Sequence, residues 1–188
     1  MHKRITMENE QTEIGFDATE NWSVEDFYNF FHQINILYNR LYVLQEMKDS
    51  GKKKKLKYAL YGSLSRVKSE DQLIVKSIEI HSPGDFNLLG VDKVIQQLRE
   101  TLKDVLFRNR QERESSDEDL RHKKAMNSLK EKAGMQKILN NQITLMKQLN
   151  YDQEQIEIGI KALGDPIAQI GQISSDRKVA LKAPNKEN

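Results

Sequence analysis

The apolar positions of the chain change period several times, and each change predicts an element. After a polar tail over residues 1–11, Ile14 and Phe16 sit two apart, the spacing of a short half-buried strand. Ser23 with Asp26 three residues on forms a capping pair, and Trp22 and Phe27 occupy the positions of a hydrophobic staple, so a helix opens here. Phe27, Phe30, Phe31, Ile34, Leu37, Tyr38, Leu41 and Leu44 then recur at three- and four-residue spacing, a wide stripe that must be covered, up to about Met47 or Lys48. Gly51 and the adjacent ammonium groups of Lys52, Lys53, Lys54 and Lys55 predict a solvated loop. Leu56 to Arg66 fits helix and strand equally. Leu73 to Ile80 predicts a strand with Ile74, Ile78 and Ile80 on one face and Leu73 and Val75 on the other. Ser82-Pro83-Gly84-Asp85 places Pro and Gly at the central positions of a type II turn, and Phe86 to Leu89 predicts a short return strand.

Beyond Gly90 the period is helical. Val91, Ile95, Leu98, Leu102 and Val105 step by four, three, four and three, a coiled-coil-like seam of about two heptads. The seam fails in residues 108–124, where eleven of seventeen residues are charged. Leu139, Ile143, Met146 and Leu149 then form a second stripe, so 91–149 reads as one long helix or as a hairpin broken near 108–124. Asp152 and Gln155 form another capping box, Gly164 suits a helix end, and Asp165-Pro166 suits a new start; 150–173 therefore reads as short helices and 174–188 as a disordered tail.

Eleven of the thirteen aromatic residues lie at or before Phe86, which concentrates the core in a head over residues 12–90. The predicted fold is α+β and mainly helical. A head of two or three antiparallel strands is covered by the aromatic helix and followed by a long helical arm. Charged residues make up 31% of the chain, with a net charge of +2, so charge assigns neither nucleic acid nor membrane as a partner. No apolar run approaches the ~20 residues that cross a bilayer, and the first residues lack the apolar stretch of a secretory signal. The expected location is cytoplasmic, with no membrane insertion.

The absence of cysteine removes disulfides, thiolate metal sites and thiol nucleophiles. The histidines, at 2, 32, 81 and 122, have no ligand-spaced partners, and the glycines form no phosphate-binding pattern, so no catalytic residue, cofactor or metal is expected. Lys52 to Lys55, with Lys57, Tyr58 and Tyr61 close behind, form the one candidate nucleic-acid contact: lysines neutralise phosphates and tyrosines stack on bases.

Trp22-Ser23 opening an aromatic helix, Ile78-Glu79-Ile80-His81-Ser82-Pro83-Gly84, and a long charged helix resemble, in this order, a loose group of small uncharacterised bacterial proteins over roughly Thr12 to Arg113. The resemblance implies no activity. What remains is the helical stripes, which either fold back on one another or meet another chain. The expectation is a non-enzymatic interaction or assembly subunit, a homo-oligomer or the partner of another helical protein. It would use Val91, Ile95, Leu98, Leu102, Val105, Leu139, Ile143, Met146 and Leu149. The alternative is a nucleic-acid-binding accessory protein using the Lys52–Lys55 loop.

Overall fold

The Asp26 amide donates to Ser23 Oγ at 3.1 Å and the Ser23 amide donates to Asp26 Oδ2 at 2.9 Å, so the capping box that opens the first helix closes reciprocally. The Trp22 and Phe27 rings, 4.9 Å apart between centroids, complete the staple. This computed structural model describes residues 10–18, 22–50, 56–63, 66–79, 84–114, 140–148, 150–177 and 179–182, the side chains of 48–50, 104, 107–114 and 175–177 excepted.

The chain is α+β. Four antiparallel strands, β1 (Gln11–Ala18), β2 (Ile74–Glu79), β3 (Gly84–Val91) and β4 (Val179–Leu181), lie in the order β2-β3-β1-β4. Helix α1 (Val24–Ser50) covers one face of the sheet. Phe30 meets Phe16 and Phe86 with ring centroids 5.5 and 5.4 Å apart, edge to face or nearly so, and all three are buried. The segment open to both readings holds a short helix, α2 (Leu56–Tyr61). Helix α3 (Asp92–Glu114) follows β3 directly; residues 140–148 are helical (α4), and α5 (Gln153–Arg177) leads into β4.

Tyr38 ties α1 to the sheet. Its hydroxyl donates to the Asp71 carbonyl at 2.7 Å and accepts the Val91 amide at 2.9 Å, while the Tyr42 hydroxyl donates to Asp71 Oδ2 at 2.7 Å. The Tyr38 ring lies so close to β3 that a Cβ on Gly90 would sit 2.8 Å from it, which explains a glycine inside a strand. At the far end of α1, Tyr151 donates to the Leu44 carbonyl at 3.0 Å.

Several expectations are corrected. The seam from Val91 to Val105 is buried within this chain: Ile95, Leu98 and Leu102 have essentially no exposed surface, and Met146 of the second stripe has none. Helix α5 supplies the cover. Met146 lies on Gly159, where any Cβ would overlap its sulfur, and Val105 lies on Gly171, 3.2 Å from where a Cβ would stand. Gln142 Nε2 donates to Thr101 Oγ1 at 2.8 Å, so the second stripe folds back onto the first. The head and the arm therefore share one core, and these residues are not left bare for another polypeptide. Ile143 is half-buried against that core; Leu139 and Leu149 lie outside the described residues, as does most of the charged stretch at 108–124. The tail expected to be disordered from Ser174 instead completes α5 and forms β4 as far as Leu181.

The expected break at Gly164-Asp165-Pro166 is also absent, since α5 runs through it. A proline cannot donate to the carbonyl four residues back, here Ala162. Arg40 Nη1 donates to that carbonyl instead, from a guanidinium stacked over the Tyr61 ring. Burial pulls the Arg40 pKa below its ordinary value, opposed by Tyr61 and Asp165. At the end of α4, Asn150 adopts φ 55°, its amide donates to the Lys147 carbonyl and that of Tyr151 to Met146, a Schellman closure; Asp152 and Gln155 then cap α5 as expected.

Arg40→Met is expected to cost about 1–3 kcal/mol in urea unfolding, and distinctly less when Pro166→Ala restores the backbone donor; equal costs in both backgrounds would separate the two residues. Burial pushes the Tyr38 and Tyr151 phenols up to about 12 and also raises Tyr42, where the Asp71 hydrogen bond and charge add to it. The folded chain thus holds these protons to higher pH than the unfolded chain, whose phenols titrate near ~10. Stability is expected to be level below pH ~10 and to fall towards pH ~12, less steeply in Tyr38→Phe, as followed by unfolding midpoints across that range.

Candidate functional site

Among the described residues β2 pairs on one side only, with β3, so its other side is an edge of the sheet. Its pairing with β3 contains a bulge: Ile74 and Val75 oppose Leu89 and Leu88, Ser77, Ile78 and Glu79 oppose Asn87, Phe86 and Asp85, and Lys76 is the extra residue. Paired residues share a face, so Val75 and Ile78 stand with Leu88 and Phe86 on the side of the helices, while Ile74, Ser77 and Glu79 stand on the open side. Regular alternation predicts Ile74 and Ile78 on one face; the bulge turns them to opposite faces. Lys76 reaches over the open face to an ion pair with Glu13, and Asn87 Nδ2 donates to Ser77 Oγ at 2.9 Å.

The helix layer stops short of this edge. Val75 and Ile78 are 48% and 42% exposed although they point to the core side, and Ile74 is 47% exposed on the other. Three large aliphatic side chains of one six-residue strand, two on the helix side and one on the open side, are thus open to solvent. Between α1 and β2 runs a groove of about 550 Å³ with Phe31 and Asn35 on the helix side, Leu73 and Val75 on the strand side and Leu88 beneath. Tyr28 and His32 stack at its margin, centroids 5.5 Å apart and nearly parallel, and Asn39 Nδ2 donates to Asn35 Oδ1 at 3.2 Å. The arrangement offers apolar contact and main-chain hydrogen bonds, the combination by which a sheet edge accepts another strand.

The other expected site is placed only in part. Lys52 to Lys55 lie outside the described residues; Lys57 and Tyr58 are exposed on α2, and Tyr61 stacks under Arg40. Among the described residues no three His, Asp or Glu are grouped to hold a metal ion, and no helix is long and apolar enough to cross a membrane. Of the residues that line the groove, spacing puts Phe31 in internal packing and Leu73, Val75 and Leu88 in regular strands. One signal of the edge is present in the chain: two polar residues in succession, Lys76-Ser77, between Val75 and Ile78 interrupt the period of two. Compared with protein-family models, with curated proteins and with solved structures, the chain matches none.

Ile78→Ala is expected to shift the unfolding free energy by less than about 1 kcal/mol, since the side chain is already half in water, whereas Leu88→Ala on the facing strand should cost about 2–5 kcal/mol. Chemical denaturation of the two variants checks this, and equal costs would show that the edge is covered.

Proposed function

We propose that this protein is a non-enzymatic assembly subunit whose interface is the β2 edge and whose partner is a second copy of the chain. The observation that carries the reading is the order of faces along β2. From Ile74 to Glu79 it runs open side, helix side, open side, open side, helix side, open side, because the bulge sets Lys76 and Ser77 on the same side. The order is the same read from either end.

A strand of this kind is complementary to itself. A two-fold axis between Lys76 and Ser77 lays two copies of β2 antiparallel, with Val75 of each opposite Ile78 of the other, so both apolar pairs fall on the helix side. The pairs each contribute about 0.2–1 kcal/mol and remove half-exposed aliphatic surface from water. On the open side the same register sets Lys76 diagonal to Glu79 of the second copy, an opposite-charge neighbour. In a regular strand an axis between two residues would pair opposite faces, so the bulge permits this register. Isologous contacts of this sort are the commonest route to a dimer.

The chain has no cysteine of its own, which makes a cross-linking test clean. Val75→Cys combined with Ile78→Cys is expected to give a disulfide-linked dimer under mild oxidation, because opposed residues bring Cβ atoms to ~4.5–5.5 Å. Val75→Cys alone, and Ile74→Cys with Ile78→Cys, should not. Absence of the cross-link in the first variant, or a monomer mass for the wild-type chain in sedimentation at all concentrations, refutes the reading.

A further inference from the structure

The sheet has a second edge, and it is built differently from the first. β4 pairs with β1 over Phe16 to Ala18, with Leu181 opposite Phe16, and the Lys182 amide extends the pairing by donating to the Gly15 carbonyl at 2.9 Å. Three residues of strand make few ladder bonds and are marginal by themselves. Two long cationic side chains hold β4 in addition.

Lys182 crosses β1 on the open face of the sheet. Its Nζ lies 2.6 Å from Asp85 Oδ2 on β3 and 3.9 Å from Asp17 Oδ1 on β1. The Lys182 and Asp85 side chains are 29% and 25% exposed, so this pair is less screened by water than one on the open surface. The crossing explains a second glycine inside a strand, since a Cβ on Gly15 would stand 2.8 Å from Lys182 Cδ and 2.6 Å from Asn87 Oδ1. Arg99 of α3 closes the end of the pairing: Nη1 donates to the Lys182 carbonyl at 3.1 Å and Nη2 to the Glu13 carbonyl at 3.0 Å. Carbonyls two residues apart on a strand point the same way, so that of Glu13, like that of Gly15, faces outward from β1. A strand continuing in register would meet Glu13 with residue 184, and Pro184 has no amide hydrogen to give. The guanidinium stands in for that donor.

Without β4, the outer side of β1 would present a strand of 8 residues for pairing, longer than the 6 of β2. A chain with two open edges builds an open row of copies instead of a closed pair, because each copy that joins brings a further edge. Given the pairing at β2, on which this rests, we infer that Lys182 and Arg99 form a clasp that keeps β4 on the second edge and so ends assembly at two copies. β4 is the chain's own strand in the place where a strand of another copy would add. The clasp thereby decides which edge the chain offers.

Lys182→Gln removes the ion pair and keeps the backbone bonds, while Arg99→Met removes both donors and keeps the aliphatic stem. In either full-length variant, hydrogen exchange over residues 179–182 is expected to quicken about fivefold or more. Sedimentation velocity should then show species heavier than the wild-type dimer, growing with concentration. Lys182→Glu should act alike, and adding Asp85→Lys, which restores the ion pair with its charges exchanged, should return both readings to those of the wild type; a loss of core packing would not be rescued in this way. Unchanged exchange in both single variants, or a released β4 with no mass beyond that of the wild type, overturns the inference and leaves the pairing at β2 intact. A monomeric wild type overturns the pairing at β2 instead; the clasp then stands if the variants with released β4 dimerise and falls if they stay monomeric.

Discussion

Four successive residues of α1, Leu41 to Leu44, are buried, so this stretch of helix has no side left for water. A helix enclosed all round needs cover from every direction, and the rest of the fold follows from that demand. Its N-terminal half leans on the sheet through Phe30 and the Tyr38 ring over Gly90. Its C-terminal half is closed by α2, α3 and α5, with Tyr151 hydrogen-bonded to its backbone and Arg40 to that of α5. The aromatic-rich first half and the aliphatic second half meet on this one helix. That is why the seam of α3 needs no second chain.

The same geometry explains where apolar surface is left over. α1 can lie over β3 and β1 but not also over β2, because one helix is about as wide as two strands. The uncovered edge falls on the strand where the bulge has brought Ile78 to the same face as Val75. That edge lies on the sheet margin, apart from the region where α4 folds back over α3.

Much of this was legible in the chain. The Ser23–Asp26 and Asp152–Gln155 boxes, the aromatic stripe of α1 and the strand at Ile14 and Phe16 all depend on neighbours within four residues, and each formed as its spacing predicts. The α+β class followed from them. The candidate interface did not, since the stripe of α3 is the same sequence whether it meets its own α5 or another chain. Its cover comes from α5, where Gly171 leaves room for Val105 as Gly159 does for Met146 of α4, and nothing local to either glycine announces that.

Local chemistry, then, decided element type, helix starts and the exclusion of cysteine-based sites, because caps, staples and periodicity act over distances the chain spans by itself. Tertiary structure decided the rest. A proline stays inside α5 because an arginine 126 positions earlier takes the released carbonyl, Val179 to Leu181 become a strand because β1 has an edge to offer, and Ile74 and Ile78 part company because Lys76 is one residue too many for β3. Each of these rests on a partner distant in sequence, and spacing along the chain carries no record of which distant group will be there.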